Sequence, residues 1–276
     1  MKAAVSPATL AIYDRYVKRF FEFARQIGYS TTRIKEKVVR LWLASLNVQG
    51  LSYGTICSHL SALRHYCKTL NLPCLFTSPR TNLLLRGIRQ SSAVPPRTKE
   101  AATHRHVLCL YSAASILGHA RHRFRAMITV AFFGFLRPSE LCVFPAGHFL
   151  RRKFIKVNKA RSKVTLTLTS FKHSRGRAKI HLTKEASSPC PVKSLLRYIA
   201  TLSPATLTSP LFDISVEDYR QELAATVAAA GIKTKLTPHS FRHGGATWAA
   251  KRGWSDSRIR SHGRWHSDAF LRYIKT

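Results

Sequence analysis

Apolar residues in the first 92 positions recur at steps of three and four, which is the spacing of one buried face of an α-helix. The first run extends from Leu10 to Ile27 and ends before Gly28, a residue that commonly terminates helices. Three further segments are predicted to be helical: residues 34–46, Ile56–Leu70 and 77–90. We therefore predict an all-α N-terminal domain over residues 1–92.

A segment rich in Ser, Pro and charged residues follows at 93–103 and is typical of an interdomain linker. Beyond it, at 104–276, helical patterns enclose a β-rich middle. Alternating β-branched residues predict strands in KFIKV, VTLTLTS and AKIHL, and the polar turn KHSRGR precedes the last of them. Helices are predicted at 104–118, 122–135, 191–202, 216–230, 238–252, 255–263 and 267–275. The second domain is thus predicted to be α+β, mostly helical with a small three-stranded antiparallel sheet.

Positive charge is the strongest compositional feature of the chain. The sequence contains 46 Lys and Arg against 12 Asp and Glu, a formal net charge of +34. Residues 1–92 carry 14 basic and 3 acidic side chains, and residues 93–276 carry 32 and 9. Charge spread over both domains favours a polyanionic partner. Nucleic acid is favoured over a membrane surface, and the longest apolar run, Met127–Leu136, is too short to span a bilayer.

Cysteines and histidines bear on the compartment and on metal binding. Six cysteines are scattered without a C-x-x-C pair, and the N-terminus turns amphipathic at once, without a signal-peptide pattern. We therefore expect reduced cysteines in an intracellular protein, nuclear in a eukaryote and cytoplasmic or nucleoid-associated otherwise. One cluster invites a zinc interpretation: His104, His106, Cys109, His119 and His122. Its spacing matches no common zinc module and arginines are interleaved with it, so a basic surface is favoured and no metal site is predicted.

Three segments concentrate residues suited to phosphate chemistry: FFGFLRPSEL at 132–141, TPHSFRHGGATWAAKRG at 237–253 and GRWHSDAFLRYI at 263–274. Each also has a purely structural interpretation. Arg137 could satisfy carbonyls at a helix end, and His239 and Arg242 could be surface residues on one helix face. Tyr273 could be a core residue of an amphipathic helix.

Taken together and in this order, the segments resemble the tyrosine recombinase (phage integrase) family. The shared pattern is G-x-L-R-x-x-E, a Lys in a β-turn, H-x-x-R-H, G-x-W and a Tyr shortly downstream. The matching residues are Arg137 with Glu140, Lys172, His239 with Arg242 and His243, Gly263 with Trp265, and Tyr273. The segment SYGTICSHLSALRHYCKTLNL resembles that family's core-binding, SAM-like domain. The GRWHSDAFLRYI ending is similar to recombinases of DIRS-type retroelements and Cryptons.

The resemblance implies a site-specific recombinase or integrase that needs no cofactor. A tyrosine hydroxyl would attack a DNA phosphodiester, giving a 3′-phosphotyrosyl bond and a free 5′-hydroxyl. Arginines would neutralise the transition state, a histidine would bind phosphate or take the tyrosine proton, and a lysine would protonate the leaving oxygen. The implied catalytic residues are Arg137, Lys172, His239, Arg242, Trp265 and Tyr273, with Glu140 and His243 orienting them.

Two of these assignments have competitors. Lys163 or Arg175 could replace Lys172, which is favoured because it directly precedes the tight turn. The family places a His or Trp nine residues before the nucleophile, and that position is Arg264 here, while Trp265 stands eight before. Either the connection is one residue shorter or Arg264 takes the hydrogen-bonding role. We favour Trp265.

The nucleophile also has competitors within the same domain. Tyr198 and Tyr219 are the alternatives, but neither follows a GRW element. Tyr273 is therefore favoured, and Phe270 and Leu271 are expected to anchor the helix that carries it.

The catalytic set alone barely separates recombination from the activities of a type IB topoisomerase or a telomere resolvase. A non-catalytic DNA-binding relic of a mobile element is the third hypothesis. The N-terminal helical domain and the style of the ending favour recombination. We expect double-stranded DNA as partner, a homotetramer on that DNA, and no membrane or nucleotide cofactor. The predicted DNA-contacting residues are Ser58, His59, Arg64 and His65.

Overall fold

The computed structural model describes Val5 and residues 7–29, 34–72, 76–91, 100–143, 149–169, 176–186, 189–203 and 208–274. The chain divides into two compact units, Met1–Thr98 and Lys99–Thr276. No helix among the described residues combines the length and the apolar character that a membrane span requires.

The first unit is helical throughout its described residues. Its helices are α1 Pro7–Gln26, α2 Glu36–Val48, α3 Tyr53–Thr69 and α4 Pro79–Ser91. Gly28, with φ +72°, follows α1, and Ser52 caps α3 by accepting from the Thr55 N–H at 3.3 Å. The helices bury one shared core, whose members include Phe20, Trp42, Leu43, Ile56, Leu60, Leu63 and Phe76.

The second unit is mostly helical. Its α-helices are α5 His104–Ala113, α6 Arg121–Phe133, α7 Pro138–Leu141, α8 Pro191–Ala200, α9 Val216–Ala229, α10 Ser240–Lys251 and α11 Asp256–Gly263. Shorter 3₁₀ helices occupy Ala114–Ala120, Arg152–Phe154 and Asp268–Tyr273. Two predicted α-helices are therefore corrected: the one at 104–118 ends as α5 and continues as a 3₁₀ helix, and the last one is a 3₁₀ helix.

A small antiparallel sheet covers one side of the core of the second unit. Its strands are β1 Ile155–Val157, β2 Lys163–Leu168 and β3 Ala178–Thr183, in the order β1-β2-β3. The alternation predicted for β2 is observed, because Val164, Leu166 and Leu168 are buried while the residues between them are more exposed.

Two glycines let α10 pack directly on neighbouring backbone. A Cβ on Gly244 would lie 1.7 Å from the Ala102 carbonyl oxygen, and one on Gly245 would lie 2.0 Å from the Phe132 carbonyl oxygen. The Ala102 N–H also donates to the Ser240 carbonyl at 2.9 Å. This packing fixes the start of α10 against the end of α6.

The predicted fold class, an all-α domain followed by an α+β domain with a three-stranded antiparallel sheet, is confirmed. The domain limits stay a prediction. Ala102, at the end of the predicted linker, is fully buried and bonded to α10, which ties that end of the segment to the second unit.

Candidate active site

The first of the three segments forms the turn between α6 and α7. Gly134 closes α6, and Phe135 takes a left-handed conformation with φ +48°. The Leu136 N–H donates to the Ala131 carbonyl at 3.1 Å, which completes the helix end. Arg137 then stands immediately before α7. This turn therefore presents two features at once, the Arg137 side chain and the Phe135 carbonyl.

Glu140 fixes Arg137 through both its backbone and its side chain. The Arg137 N–H donates to Glu140 Oε2 at 2.8 Å, and Arg137 Nη1 donates to Oε1 at 2.9 Å. The side chain of Glu140 is 1% exposed and that of Arg137 is 17% exposed. The carboxylate is thus internal, while part of the Arg137 side chain stays accessible.

The charge on Glu140 is maintained by arginines. Burial alone would raise the pKa of Glu140, but the charges of Arg264, Arg242 and Arg137 and the Arg137 backbone N–H together hold it below its usual value of 4.5. Glu140 is therefore ionised at neutral pH, and it serves as the common counter-ion of the site.

The second segment places its polar residues at the start of α10. His239 immediately precedes the helix and is partly exposed, whereas His243, one turn later, is buried. Their rings lie 5.0 Å apart in an edge-to-face arrangement. His239 is thus the member of the pair that is accessible from outside, and His243 lies behind it.

Arg242 is fully buried and is bonded to two separate turns. Its Nη1 donates to the Phe135 carbonyl, and its Nη2 donates to the Gly263 carbonyl at 2.6 Å. The guanidinium lies over the ring of Trp265, 4.2 Å from the ring centroid. Arg242 thereby joins the turn after α6 to the end of α11.

The third segment turns sharply at the end of α11. Arg264 is left-handed, with φ +58°, and the Trp265 N–H donates to the Arg260 carbonyl at 3.0 Å. The indole of Trp265 lies directly on Gly263, where an added Cβ would meet ring carbon Cζ3 at 1.6 Å. Gly263 is therefore required for close packing, and Trp265 covers Arg242 as a result.

The side chain of Arg264 points into the unit. It is 8% exposed, and its Nη2 donates to Glu140 Oε2 at 2.9 Å and to the Phe135 carbonyl at 3.1 Å. Its Nη1 donates to the His262 carbonyl at 2.9 Å. Burial lowers the pKa of Arg264 and the charge of Glu140 opposes that effect. Arg264 and Trp265 thus occupy different environments: the arginine is internal and the tryptophan lies on Arg242.

Tyr273 is the last residue of the 3₁₀ helix Asp268–Tyr273, and its side chain lies outside the described part of the structure. Phe270 is buried at 3% exposure and anchors this helix as predicted, whereas Leu271 is 51% exposed. The anchoring role predicted for Leu271 is wrong, because the short 3₁₀ helix turns that side chain to solvent.

The two competing tyrosines are core residues. Tyr219 is fully buried, and burial raises its pKa well above the usual value. Tyr198 is 6% exposed, and its hydroxyl donates to the Leu211 carbonyl at 3.0 Å. Neither hydroxyl is accessible to a DNA phosphate.

Lys172 and Arg175 lie outside the described residues. Because β2 ends at Leu168 and pairs with Ala178 of β3, both belong to the segment that joins these strands. Lys163 is described, and it begins β2 opposite Thr183. It is therefore at the far end of the hairpin, on the order of 17 Å along the strand from the connection.

The predicted DNA-contacting residues of α3 fall into different environments. Ser58 is exposed, and Arg64 and His65 are partly exposed. His59 is only 1% exposed; its ring stacks on Tyr16 at 3.7 Å between centroids, and burial lowers its pKa. The prediction for His59 is wrong, since α1 covers the face of α3 on which it lies.

Two of the histidines that suggested zinc, His104 and His106, have structural contacts. His106 Nδ1 accepts the Thr103 N–H at 3.2 Å and so caps α5, and the His104 ring packs against Trp248. Among the described residues, no three His, Cys, Asp or Glu side chains are grouped in a way that could hold a metal ion.

Comparison with protein families decides the class of this site. The model for the phage integrase family matches residues 102–273, and the model for the phage integrase N-terminal SAM-like domain matches residues 1–71. The chain belongs to the phage integrase family. This membership confirms the function predicted from the sequence, that of a tyrosine-type site-specific DNA recombinase, and does not favour the topoisomerase, resolvase or relic alternatives.

Solved structures of recombinases share the fold of this phage integrase family member. The XerH site-specific recombinase, in a post-cleavage complex with a palindromic difH substrate, is 16% identical with a TM-score of 0.68, covering 95% of this chain and 74% of that one. The Tn1549 transposon integrase bound to circular intermediate DNA is 15% identical with a TM-score of 0.66 and coverages of 99% and 91%. A lambda integrase dimer bound to a COC′ core site is 17% identical with a TM-score of 0.66 and coverages of 99% and 73%. No curated protein matches the sequence.

Two features of the site were not anticipated from the sequence. The Phe135 carbonyl accepts from both Arg242 and Arg264, and nothing in the letters GFLR marks a left-handed phenylalanine. His262 Nε2 donates to the Phe133 carbonyl at 2.8 Å, and burial lowers the pKa of His262 to about 4, so its ring is neutral. The G-R-W pattern that directly follows His262 could have drawn attention to it only by adjacency.

Proposed function

We propose that Tyr273 is the nucleophile of this recombinase. Its hydroxyl attacks a DNA phosphorus, the bond from phosphorus to the 5′-oxygen breaks, and a 3′-phosphotyrosyl bond forms. His239 takes the phenol proton, and Lys172 gives a proton to the departing 5′-oxygen. Because the phosphotyrosyl ester retains the energy of the broken phosphodiester bond, the 5′-hydroxyl of another strand can reverse the step without a nucleotide cofactor.

The observation that carries the proposal is the convergence of three chain segments on one carbonyl. Phe135 accepts from Arg242 directly and from Arg264, which shares the Glu140 carboxylate with Arg137. Two arginines that the sequence separates by about a hundred residues thereby belong to one cluster. Planar guanidinium groups suit the non-bridging oxygens of a phosphate in the transition state.

The environment of Arg242 requires a change when DNA binds. Its guanidinium is buried beneath Trp265 and donates to two carbonyls. Contact with a phosphate therefore requires the indole to move, and its N–H would then donate to a phosphate oxygen. We assign this movement to DNA binding.

The burial of Tyr198 and Tyr219 supports Tyr273 as nucleophile, since neither alternative hydroxyl is accessible. It also supplies a control: Tyr219→Phe removes a hydroxyl from the same unit without touching the proposed chemistry.

We also propose that the protein is the recombinase of a mobile DNA element. The GRWHSDAFLRYI ending supports a DIRS-type or Crypton-type recombinase, acting in the nucleus if the host is a eukaryote. A homotetramer would hold two DNA duplexes for strand exchange. The net charge of +34 supports phosphate-dominated binding, with Ser58, Arg64 and His65 of the predicted core-binding domain, residues 1–92, facing DNA.

The test is covalent capture from a pool of duplexes. Each duplex carries a randomised core and a nick a few nucleotides beyond the candidate cleavage position, so that the short 5′-hydroxyl fragment diffuses away and the adduct accumulates. Adducts are separated on a denaturing gel, and their DNA is sequenced. We expect a label at the 5′ end of the cleaved strand to stay with the protein and a label at its 3′ end to be released.

Two variants make the capture specific. Tyr273→Phe is expected to abolish the adduct, and Tyr219→Phe is expected to form it at the wild-type level. An adduct that persists in Tyr273→Phe would refute the nucleophile. Absence of any adduct from folded wild-type protein that binds DNA would indicate the relic.

A further inference from the structure

Arg264 occupies the position at which the tyrosine recombinase pattern places a DNA-contacting His or Trp, yet it is an internal residue. Its guanidinium donates to Glu140 Oε2, to the Phe135 carbonyl and to the His262 carbonyl. Only 8% of the residue is exposed. A phosphate contact by Arg264 would break its ion pair with the buried Glu140 carboxylate, whereas Arg242 donates to backbone carbonyls, so direct DNA binding is the less economical role for Arg264.

The bond from Arg264 to Glu140 bears on Arg137. Glu140 Oε1 accepts Arg137 Nη1, and Oε2 accepts both the Arg137 N–H and Arg264 Nη2. Arg137 thus contacts both oxygens of the carboxylate, and Arg264 adds a third donor at Oε2. Arg264 therefore fixes the carboxylate, and the carboxylate fixes the guanidinium of Arg137.

A second path leads from Arg264 to Arg242. Both donate to the Phe135 carbonyl, whose orientation depends on a left-handed backbone that a phenylalanine does not ordinarily adopt. In addition, Arg264 directly follows Gly263, the other acceptor of Arg242. Arg264 thus shares a hydrogen-bond acceptor with each of the two proposed phosphate-binding arginines: Glu140 with Arg137, and the Phe135 carbonyl with Arg242.

We propose that Arg264 is the positioning residue for this pair of arginines: it links the segment before the nucleophile to the turn that carries Arg137. The inference rests on the proposed function, since it assigns Arg137 and Arg242 to phosphate. It resolves the choice between Arg264 and Trp265 by giving them different tasks. Arg264 orders the arginines from inside, and Trp265 lies over Arg242 from outside.

The planar guanidinium of Arg264 makes contacts that a lysine at this position could not reproduce. A lysine offers one compact ammonium, which cannot reach Glu140, Phe135 and the His262 carbonyl with the same planar geometry. Arg264→Lys keeps the charge beside Glu140, so it is the variant with the best prospect of folding normally. Arg264→Met removes the charge while keeping the length of the side chain.

The experiment measures the rate of adduct formation on nicked duplexes that carry the DNA sequence captured from the pool. Two versions are compared, one with a normal phosphate and one with a neutral methylphosphonate at the scissile position. The methylphosphonate lacks one negative charge, so it depends less on correctly placed arginines. We expect Arg264→Lys and Arg264→Met to react about 10–100-fold more slowly than wild type on the phosphate, as is typical when a supporting residue is lost. On the methylphosphonate the deficit is expected to shrink to less than about 3-fold, in parallel with Arg137→Ala.

Controls separate positioning from folding and from direct contact. Arg258→Met, on the helix α11 that ends just before Arg264, removes an exposed charge that stacks on Trp254 and is expected to react like wild type on both duplexes. Adding Glu140→Gln to Arg264→Met is expected to cause little further loss, because both act through one carboxylate. Equal deficits on both duplexes would assign Arg264 a merely structural role, and additive losses with Glu140→Gln would assign it a direct phosphate contact; either overturns the inference. If wild type itself forms no Tyr273-dependent adduct, the proposed function fails before Arg264 is tested.

Discussion

Replacing Glu140 with glutamine removes one buried negative charge and keeps the shape of the side chain. In the folded protein this carboxylate accepts three hydrogen bonds from two arginines and lies close enough to Arg242 to lower its own pKa. Glutamine leaves those arginines without their counter-ion inside the unit. Removing one partner of a buried ion pair typically costs about 3–5 kcal/mol.

A matched control lies on α9. Glu217 accepts from Arg220 at 3.1 Å, three residues away as in the Arg137–Glu140 pair, but both side chains are more than half exposed. Pairs of this kind contribute about 0.2–1 kcal/mol. At about 2–4 °C per kcal/mol for a unit of this size, we expect Glu140→Gln to lower the melting temperature by roughly 6–20 °C and Glu217→Gln by at most about 4 °C.

The pH dependence supplies a second, independent signature. Because the pKa of Glu140 is lower in the folded chain than its usual 4.5, its stabilising contribution is complete above that value and is lost as the pH falls through the lower folded value. Calorimetry of wild type and Glu140→Gln should therefore show the full difference at pH 7 and a narrowing difference below about pH 4.5. A Glu140→Gln protein within about 1 kcal/mol of the Glu217→Gln protein at pH 7 would refute the buried counter-ion.

Two further predictions concern packing. Gly263→Ala places a Cβ inside the ring of Trp265 and is expected to lower the free energy of unfolding by about 1–3 kcal/mol and to slow adduct formation. The control is Gly87→Ala, which meets no atom within 4 Å and should raise the free energy of unfolding by about 0.5–1 kcal/mol. Equal stabilities of the two variants in urea unfolding would contradict the contact between Gly263 and Trp265. Tyr219→Phe removes a buried hydroxyl that has no partner among the described residues and should raise the free energy of unfolding by about 1 kcal/mol. Tyr198→Phe loses the hydrogen bond to the Leu211 carbonyl and should lower the free energy of unfolding by a similar amount. A decrease in both variants would show that the Tyr219 hydroxyl has a hydrogen-bond partner.

The sequence by itself determined what depends on neighbours along the chain. Apolar spacing predicted the positions of α1 and α3 because helix formation and amphipathicity are local properties. Alternation in VTLTLTS gave β2 in the same way. The ordered motifs gave the family, since they name residue types without requiring their geometry.

Tertiary structure decided which way several side chains face where the sequence pattern did not. The sequence predicts His59 as a DNA-facing residue of α3, but Tyr16 of α1 stacks on its ring in the structure. Leu271 is exposed because its helix is 3₁₀, a difference in pitch that no residue pattern marks. A periodic pattern identifies a face, but only packing against another element decides whether that face is covered.

The clearest case is the pair at the end of α11. The sequence left both Arg264 and Trp265 as candidates for the hydrogen-bonding position before the nucleophile, because it provides only their distance along the chain from Tyr273. The backbone at Arg264 is left-handed, and the two side chains have different partners: Arg264 binds Glu140, and Trp265 lies on Arg242. The physical reason is that the contacts that hold Arg264 come from residues more than a hundred positions away along the chain.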